Sequence, residues 1–346
     1  MYILIPGGCG FIGSSLAIYL KNNIKNCKIL SIDNLSRSTS LLNEKKISNY
    51  NIQNLKLDLA SKKCLQYLKS LKIKIDLIID CCSDPSVENS KIMPEYVFDC
   101  NLKSTLNLLE IAKINKSKII YLSSSRVYSI HKINNLFSKV DYKNKLKKKI
   151  KINENFSTES PITLYGFTKL ASEKLIQEYS YLYKIKYIVN RFAVVSGYGQ
   201  FGKQDQGFVS MWLWRHLNNI DINYNGYGGH GNQVRDILDI SDLCNLIREQ
   251  ISKFHKIYDK VFNVGGGLKN SLSLRELSNY CEIITKNKVN IKGKTLNSNY
   301  DIRYFITDNS KIYKFYKWRV KKNLRIIISE TYSSLIKNKK ILKKIL

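Results

Sequence analysis

The sequence is poor in proline, with four in 346 residues, and it has no CxxC pair and no internal repeat. It also lacks any run of about 20 apolar residues, so no membrane-spanning helix is expected. Acidic residues are scarce beside basic ones, 27 Asp and Glu against 57 Lys and Arg, which gives a formal charge of +30. The opening MYILIPGG carries no basic n-region and no cleavage site. A secretory signal is therefore not expected, and a cytoplasmic location is. The eight cysteines (Cys9, Cys27, Cys64, Cys81, Cys82, Cys100, Cys244, Cys281) show no ligand spacing. They read as reduced thiols, and no metal is expected.

What is present is an ordinary globular balance. A hydrophobic fraction of 44% excludes wholesale disorder. The basic excess has two readings. One is binding to nucleic acid or a membrane surface. The other is compositional bias, because the chain is also rich in Ile, Asn and Tyr, as A/T-rich codons produce. The lysines are spread along the chain, with denser stretches at Lys143 to Lys151 and Lys337 to Lys344. Charge runs are usually solvated faces, and bias is the favoured reading.

The first half alternates short apolar runs with amphipathic stretches. Strands are expected at Tyr2 to Ile5, Lys28 to Ile32, Leu55 to Leu57, Leu77 to Asp80 and Ile119 to Leu122. Helices are expected at Ile12 to Leu20, Cys64 to Leu71 and Asn101 to Ile114. Such alternation implies an α/β fold with a parallel sheet covered by helices on both faces. Ser129 to Pro161 reads as a long polar loop, followed by a helix from Leu164 to about Tyr183 and a strand from Tyr187 to Val195. Glycine-rich connections beyond Gly197 point to a second lobe. The expected division is 1–195, including the loop 129–161, and 196–346.

Residues Pro6 to Gly13 read P-G-G-C-G-F-I-G directly after the first strand. Gly7, Gly10 and Gly13 give a strand–turn–helix loop in which the backbone approaches a pyrophosphate and the helix N-terminus, with Phe11 and Ile12, offers free N–H groups. Asp33 follows Gly13 by twenty residues. A carboxylate there accepts from the adenosine ribose hydroxyls and repels a 2′-phosphate, which favours NAD over NADP. After the fifth strand come Ser123-Ser124-Ser125, then Tyr165-Gly166-Phe167-Thr168-Lys169 at a helix start. Tyr165 and Lys169 stand at i and i+4, on one helix face. An ammonium group near a phenol favours the phenolate, which can take a hydroxyl proton as hydride leaves the same carbon and later return it.

With these residues in view, the chain resembles the extended short-chain dehydrogenase/reductase family, the NAD-dependent sugar epimerases and dehydratases. The likeness covers nearly the whole chain. It runs through GGCGFIGSSLA, DNLSR, N-L-K-S-T-L-N-L-L-E at Asn101 to Glu110, S-S-S-x-V-Y at Ser123 to Tyr128 and S-P-I-T-L-Y-G-F-T-K at Ser160 to Lys169. It continues with Q-V-R-D at Gln233 to Asp236 and F-N-V-G-G-G at Phe262 to Gly267. The resemblance implies a Rossmann-type doubly wound parallel sheet with a smaller C-terminal substrate-binding lobe. It also implies that Ser124, Tyr165 and Lys169 are catalytic, Lys169 also holding the nicotinamide ribose. NAD contacts are implied at Gly7, Gly10, Phe11, Ile12, Gly13, Asp33, Asn34, Asp58 and Asn101.

Within the family, dehydratases carry an Asp–Glu pair where this chain has Ser125 and Arg126. Without an acid–base pair, elimination is not expected. Epimerisation or simple redox remains. The commonest 4-epimerases place Asn where Val194 stands. Gln200-Phe201, Asp205-Gln206-Gly207-Phe208 and N-V-G-G-G-x-x-N-S-L-S-L are similar to members that epimerise a CDP-sugar. Substrate contacts are then implied at Ser124, Gln200, Asp205, Gln206 and Arg235, the arginine pairing with the diphosphate. Homodimers are usual in the family, through helices matching those at Asn101 and Leu164. Other readings are a different nucleotide-sugar epimerase or reductase, and a non-catalytic RNA-binding member. The chain departs from the pattern at Asp80-Cys81-Cys82-Ser83, Ser104 and Ser129. Trp212 and Trp214 read as packing residues, and His230 as a loop residue without an evident partner.

Overall fold

A computed structural model describes residues 1–137, 150–202 and 206–345. The Lys143 to Lys151 cluster lies outside the described residues except at its last two positions, and Asp205 lies outside them altogether.

The apolar runs form strands because both of their faces are covered. Ile3, Leu4 and Ile5 of β1 (Tyr2–Pro6) are fully buried. β1 pairs in parallel with β2 (Lys28–Ile32) on one side and with β4 (Leu77–Asp80) on the other. β3 (Gln53–Leu55) extends the sheet beyond β2. β5 (Lys118–Ser124) lies beside β4 and β6 (Tyr187–Phe192) beyond it, and Lys260–Val264 forms the far edge. The order is Lys260–Val264, β6, β5, β4, β1, β2, β3. All these strands run parallel, but the order in which they are added reverses between β1 and β4, so the connections leaving those two strands diverge there. That crevice is where doubly wound sheets bind dinucleotides.

The expected strands fall where the structure has them, with two shifts. β3 ends at Leu55 and does not run on to Leu57, because the Leu57 N–H turns back to the Leu55 carbonyl (2.9 Å). Tyr187 to Val195 is not one strand. β6 stops at Phe192, and Val194–Ser196 pairs instead with Ile237 to Asp239. The polar stretch after Tyr128 is not wholly loop either. Ile130–Phe137 is helical, with Ile130 and Ile133 buried one turn apart.

By internal contacts the chain falls into two compact units, 1–127 with 164–191 and 244–262, and 128–163 with 192–243 and 263–346. The second unit takes in the 128–163 segment. In the first unit, Leu4, Ile78, Ile119, Tyr121 and Val189 of the sheet pack against Leu108, Leu109, Ala112 and Ile176 of helices Ser104–Asn115 and Leu164–Tyr183. In the second, Val209, Trp212, Ile237, Leu277, Ile327 and Leu335 form a separate core. Trp212 packs there as expected and donates Nε1–H to Ser278 Oγ (3.0 Å). Trp214 lies against the same core, and His230 is exposed.

Among the described residues no helix is long and apolar enough to cross a membrane. No group of His, Cys, Asp or Glu among them could hold a metal ion.

Candidate active site

The turn after β1 is built to bring backbone close to backbone. Gly7 has φ +69°, a region that side chains disfavour, and its N–H closes on the Ile32 carbonyl (2.8 Å). A Cβ on Gly13 would lie 2.2 Å from the Gly7 carbonyl oxygen, so the first helix turn sits directly on the loop. The helix Phe11–Asn23 begins at Gly10 with no side-chain cap and no acidic residue in its first turn. Its leading N–H groups, at Phe11 and Ile12 among others, are left for an anion.

Asp33 directly follows β2. Its carboxylate accepts from Cys9 N (3.1 Å) and Leu35 N (2.9 Å), and burial pushes its carboxyl up. Asn34 is exposed, and its Oδ1 accepts from Ser36 N (3.1 Å). Asp58 is exposed and holds Ala60 N through Oδ1 (3.0 Å). Loop, uncapped helix start and acidic residue together fit the pyrophosphate and ribose of a dinucleotide. Gly13→Ala is expected to weaken NAD binding by on the order of 10-fold or more, about 1.4 kcal/mol, because the methyl meets fixed backbone. Fluorescence titration of NAD against both proteins checks it.

Ser124 is the last residue of β5, half-buried, with Oγ accepting from Arg126 N (3.2 Å). Tyr165 and Lys169 begin the helix Leu164–Tyr183, which packs on β5. They are 7% and 2% exposed. Burial works against a charged Lys169, yet the neighbouring Tyr121, Tyr165 and Asp80 push its pKa up overall. Its ammonium stands 4.4 Å from the centre of the Tyr121 ring. Burial, the main cause, raises Tyr121 to about 12.

Asp80, where the family motif is broken, is the register partner of Tyr121 on the next strand. It is 2% exposed and accepts from Thr105 Oγ1 (3.2 Å) and Cys82 N (3.0 Å). Burial raises its carboxyl, and Lys169 is the strongest influence opposing that. The departure from the motif thus puts a buried countercharge near the lysine.

Two further features were not expected from the sequence. Asn101 is fully buried in a π-helical turn, Asp99–Lys103. Its amide accepts from Asp84 N (2.8 Å) and donates to Asp84 O (3.2 Å) and Thr168 Oγ1 (3.0 Å). Thr168 in turn donates to the Tyr165 carbonyl (2.8 Å). The side chain expected to touch cofactor therefore ties the loop after β4 to the tyrosine's helix. Glu173, one turn beyond Lys169, is fully buried and pairs with Arg191 of β6 (2.7 Å) while accepting from Ser123 Oγ (2.5 Å). The helix is clamped to two strands at that point. Partners so distant in sequence leave no local signal; only the presence of an acidic residue on the buried face of an amphipathic helix could have hinted at it.

In the second unit, Arg235 lies on the central strand Val234–Asp239, between Ser271–Ser273 and Tyr304–Phe305. Its guanidinium pairs with Asp301 (2.9 Å) and donates to the Val234 carbonyl (2.9 Å). Gln200 spends its amide within its own loop, accepting from Ser196 Oγ (2.8 Å) and donating to the Val195 carbonyl (2.9 Å). Gln206 is half-buried in a bridge position. The Q-V-R-D and N-V-G-G-G motifs interlock: fully buried Asp236 accepts from Gly267 N (2.8 Å) and Thr307 N (3.3 Å).

Known proteins match this arrangement. Residues 3–265 match the NAD dependent epimerase/dehydratase family. CDP-paratose 2-epimerase of Salmonella typhi is 28% identical over 96% of this chain and 98% of its own length. An uncharacterised protein of Methanocaldococcus jannaschii is 34% identical, over 60% of this chain and 59% of its own. The solved structure of Thermus thermophilus UDP-glucose 4-epimerase in complex with NAD superposes with a TM-score of 0.80. It covers 97% of this chain and 99% of that one, at 20% identity, a likeness of fold. With a sheet reversal, a glycine turn on an uncapped helix and a family match over most of its length, this chain belongs to the NAD-dependent epimerase/dehydratase family of enzymes.

Proposed function

We propose that the protein epimerises a nucleotide-activated hexose, with CDP-paratose, inverted at C2, as the favoured substrate. The observation that carries this is the buried Tyr165–Lys169 pair on the helix that packs on β5, the strand that ends at Ser124, with Ser125 and Arg126 in place of the acids that elimination requires. The choice of sugar is supported by the end-to-end likeness to the S. typhi enzyme. A second reading, a UDP-sugar 4-epimerase, draws on the Thermus fold neighbour, and Val194 weighs against it.

Bound NAD supplies the hydride acceptor and, after the sugar has turned, the hydride donor. Tyr165 Oη takes the proton of the reacting hydroxyl and returns it. Lys169 keeps a positive charge beside that phenol and, on the family pattern, holds the nicotinamide ribose. Ser124 Oγ hydrogen-bonds the reacting oxygen. The site would have to let the keto sugar turn over before Tyr165 returns the proton, and with no net redox the cofactor would not need to leave.

Arg235 holds the substrate diphosphate, exchanging its Asp301 partner for phosphate oxygens. Arg235→Ala is expected to cost about 1.5–3 kcal/mol of substrate binding. That appears as a roughly 10- to 100-fold rise in KM, with kcat and bound NAD unchanged. An equal fall in kcat would move Arg235 from binding to chemistry. A homodimer fits the exposed Leu106, Ile114, Phe167 and Tyr181 on helices Ser104–Asn115 and Leu164–Tyr183. Incubation with CDP-, UDP-, GDP- and dTDP-hexoses, with products identified by NMR, tests the reading. Conversion of CDP-paratose to its C2 epimer supports it, and turnover of UDP-sugars alone at C4 overturns it.

A further inference from the structure

Away from the reacting residues, the half-buried thiol of one cysteine lies against the backbone of a second half-buried cysteine. Cys82, in the loop leaving β4, directs Sγ at the Cys100 carbonyl (3.8 Å). Cys100 lies in the π-helical turn Asp99–Lys103. The two segments are laced together beside the thiols by the paired bonds between Asn101 and Asp84 (2.8 and 3.2 Å). The backbone around both cysteines is thereby held in place. Of the other cysteines, five are buried. Cys81, the remaining half-buried one, is a poor partner for Cys82. Adjacent Cα atoms are about 3.8 Å apart, below the roughly 4.4–6.8 Å that disulfides prefer.

The surroundings favour Cys100 as the nucleophile. The neighbouring Cys82 thiol is the largest influence on Cys100 and pulls it below the ordinary thiol range. Burial and the Asp84 carboxylate oppose this, while the Asp84 backbone N–H and the Arg37 guanidinium assist. Arg37 is itself held 3.6 Å from Asp84. Low-pKa thiols with a second thiol at hand are the ones that peroxides convert to disulfides.

We propose that Cys82 and Cys100 are an oxidation site, a dithiol that a hydroperoxide closes to a disulfide. The Cys100 thiolate attacks a peroxide oxygen, the O–O bond breaks, and Cys100 becomes a sulfenic acid as the first water forms. The Cys82 sulfur then attacks the Cys100 sulfur. The S–O bond breaks, and the hydroxide leaves with the Cys82 proton as the second water. Overall, two thiols and one hydrogen peroxide give one disulfide and two waters. The bond ties down a loop that lies on the dinucleotide turn: a Cβ on Gly7 would stand 2.9 Å from Cys82 Cα.

The test uses native protein with bound NAD, treated with near-stoichiometric hydrogen peroxide, alkylated with iodoacetamide and digested with trypsin without reductant. The expected product joins the peptides Ile75 to Lys91 and Ile92 to Lys103 at a mass about 2 Da below their sum. It disappears on reduction, persists in Cys81→Ser and is lost in Cys82→Ser. The proposal is overturned if wild-type protein yields no such peptide, or if the crosslink runs through Cys81. Since the readout is a bond and not turnover, it does not depend on the substrate assignment.

Discussion

Tyr165→Phe is expected to lower kcat by about 10²- to 10⁴-fold, the range that a positioned proton acceptor contributes, while NAD remains bound. The ring packs in a site that leaves Tyr165 7% exposed, and phenylalanine fills the same volume. The helix start is held by groups the substitution leaves alone, through the Thr168 bond to the residue-165 carbonyl (2.8 Å) and the Asn101 bond to Thr168 (3.0 Å). Only the proton acceptor is lost. Turnover assays with matched thermal melts check this. A stable variant with full activity would mean that Tyr165 is not the base.

The second large effect is on stability. Glu173→Ala should destabilise the protein by about 3–5 kcal/mol, as expected when one member of a buried ion pair is removed, and lower Tm by roughly 5–10 °C. It takes the Glu173 carboxylate away from Arg191, 8% exposed, and removes the acceptor of Ser123. Because desolvation makes such pairs costly in themselves, replacing both partners with apolar residues of similar size should cost less than removing one. Glu173→Leu with Arg191→Met should therefore melt above Glu173→Ala. The reverse order would show that the attraction within the pair, and not the cost of a buried arginine that has lost Glu173, sets the stability. Activity should fall with Glu173→Ala well below its melting point, since the clamp sits one turn from Lys169 on the helix that carries Tyr165.

Much of the first unit was legible because its signals are local. β2 and β4 were expected at the residues where they occur, since strands buried on both faces read as unbroken apolar runs. The glycine turn was legible because φ +69° at Gly7 favours glycine and a Cβ at Gly13 would meet the Gly7 carbonyl. Pairings between distant segments were not legible. Nothing near Asn101 announces that its amide bridges Asp84 and Thr168, and nothing near Arg235 announces Asp301. Helix Ile130–Phe137 was hidden in a polar stretch because it is short and, among its described side chains, Ile130 and Ile133 are the buried ones. The break of the expected strand at Ala193 comes from the switch of Val194–Ser196 to pairing with Ile237 to Asp239, a partner fixed by the fold.

The charge of +30 has become background by comparison. A positive field aids capture of anionic sugar nucleotides, but the chemistry proposed here rests on a few placed groups. Asp80 sharpens the point: the charge that bears on Lys169 from the neighbouring strand is negative and buried.

The most direct test is to supply CDP-paratose deuterated at C2 in ordinary water and follow the product by NMR and mass spectrometry. Hydride held on bound NAD and returned to the same sugar predicts C2 epimer that keeps its deuterium, with no free NADH. Loss of the label to solvent, or release of NADH with a keto sugar, would contradict the account.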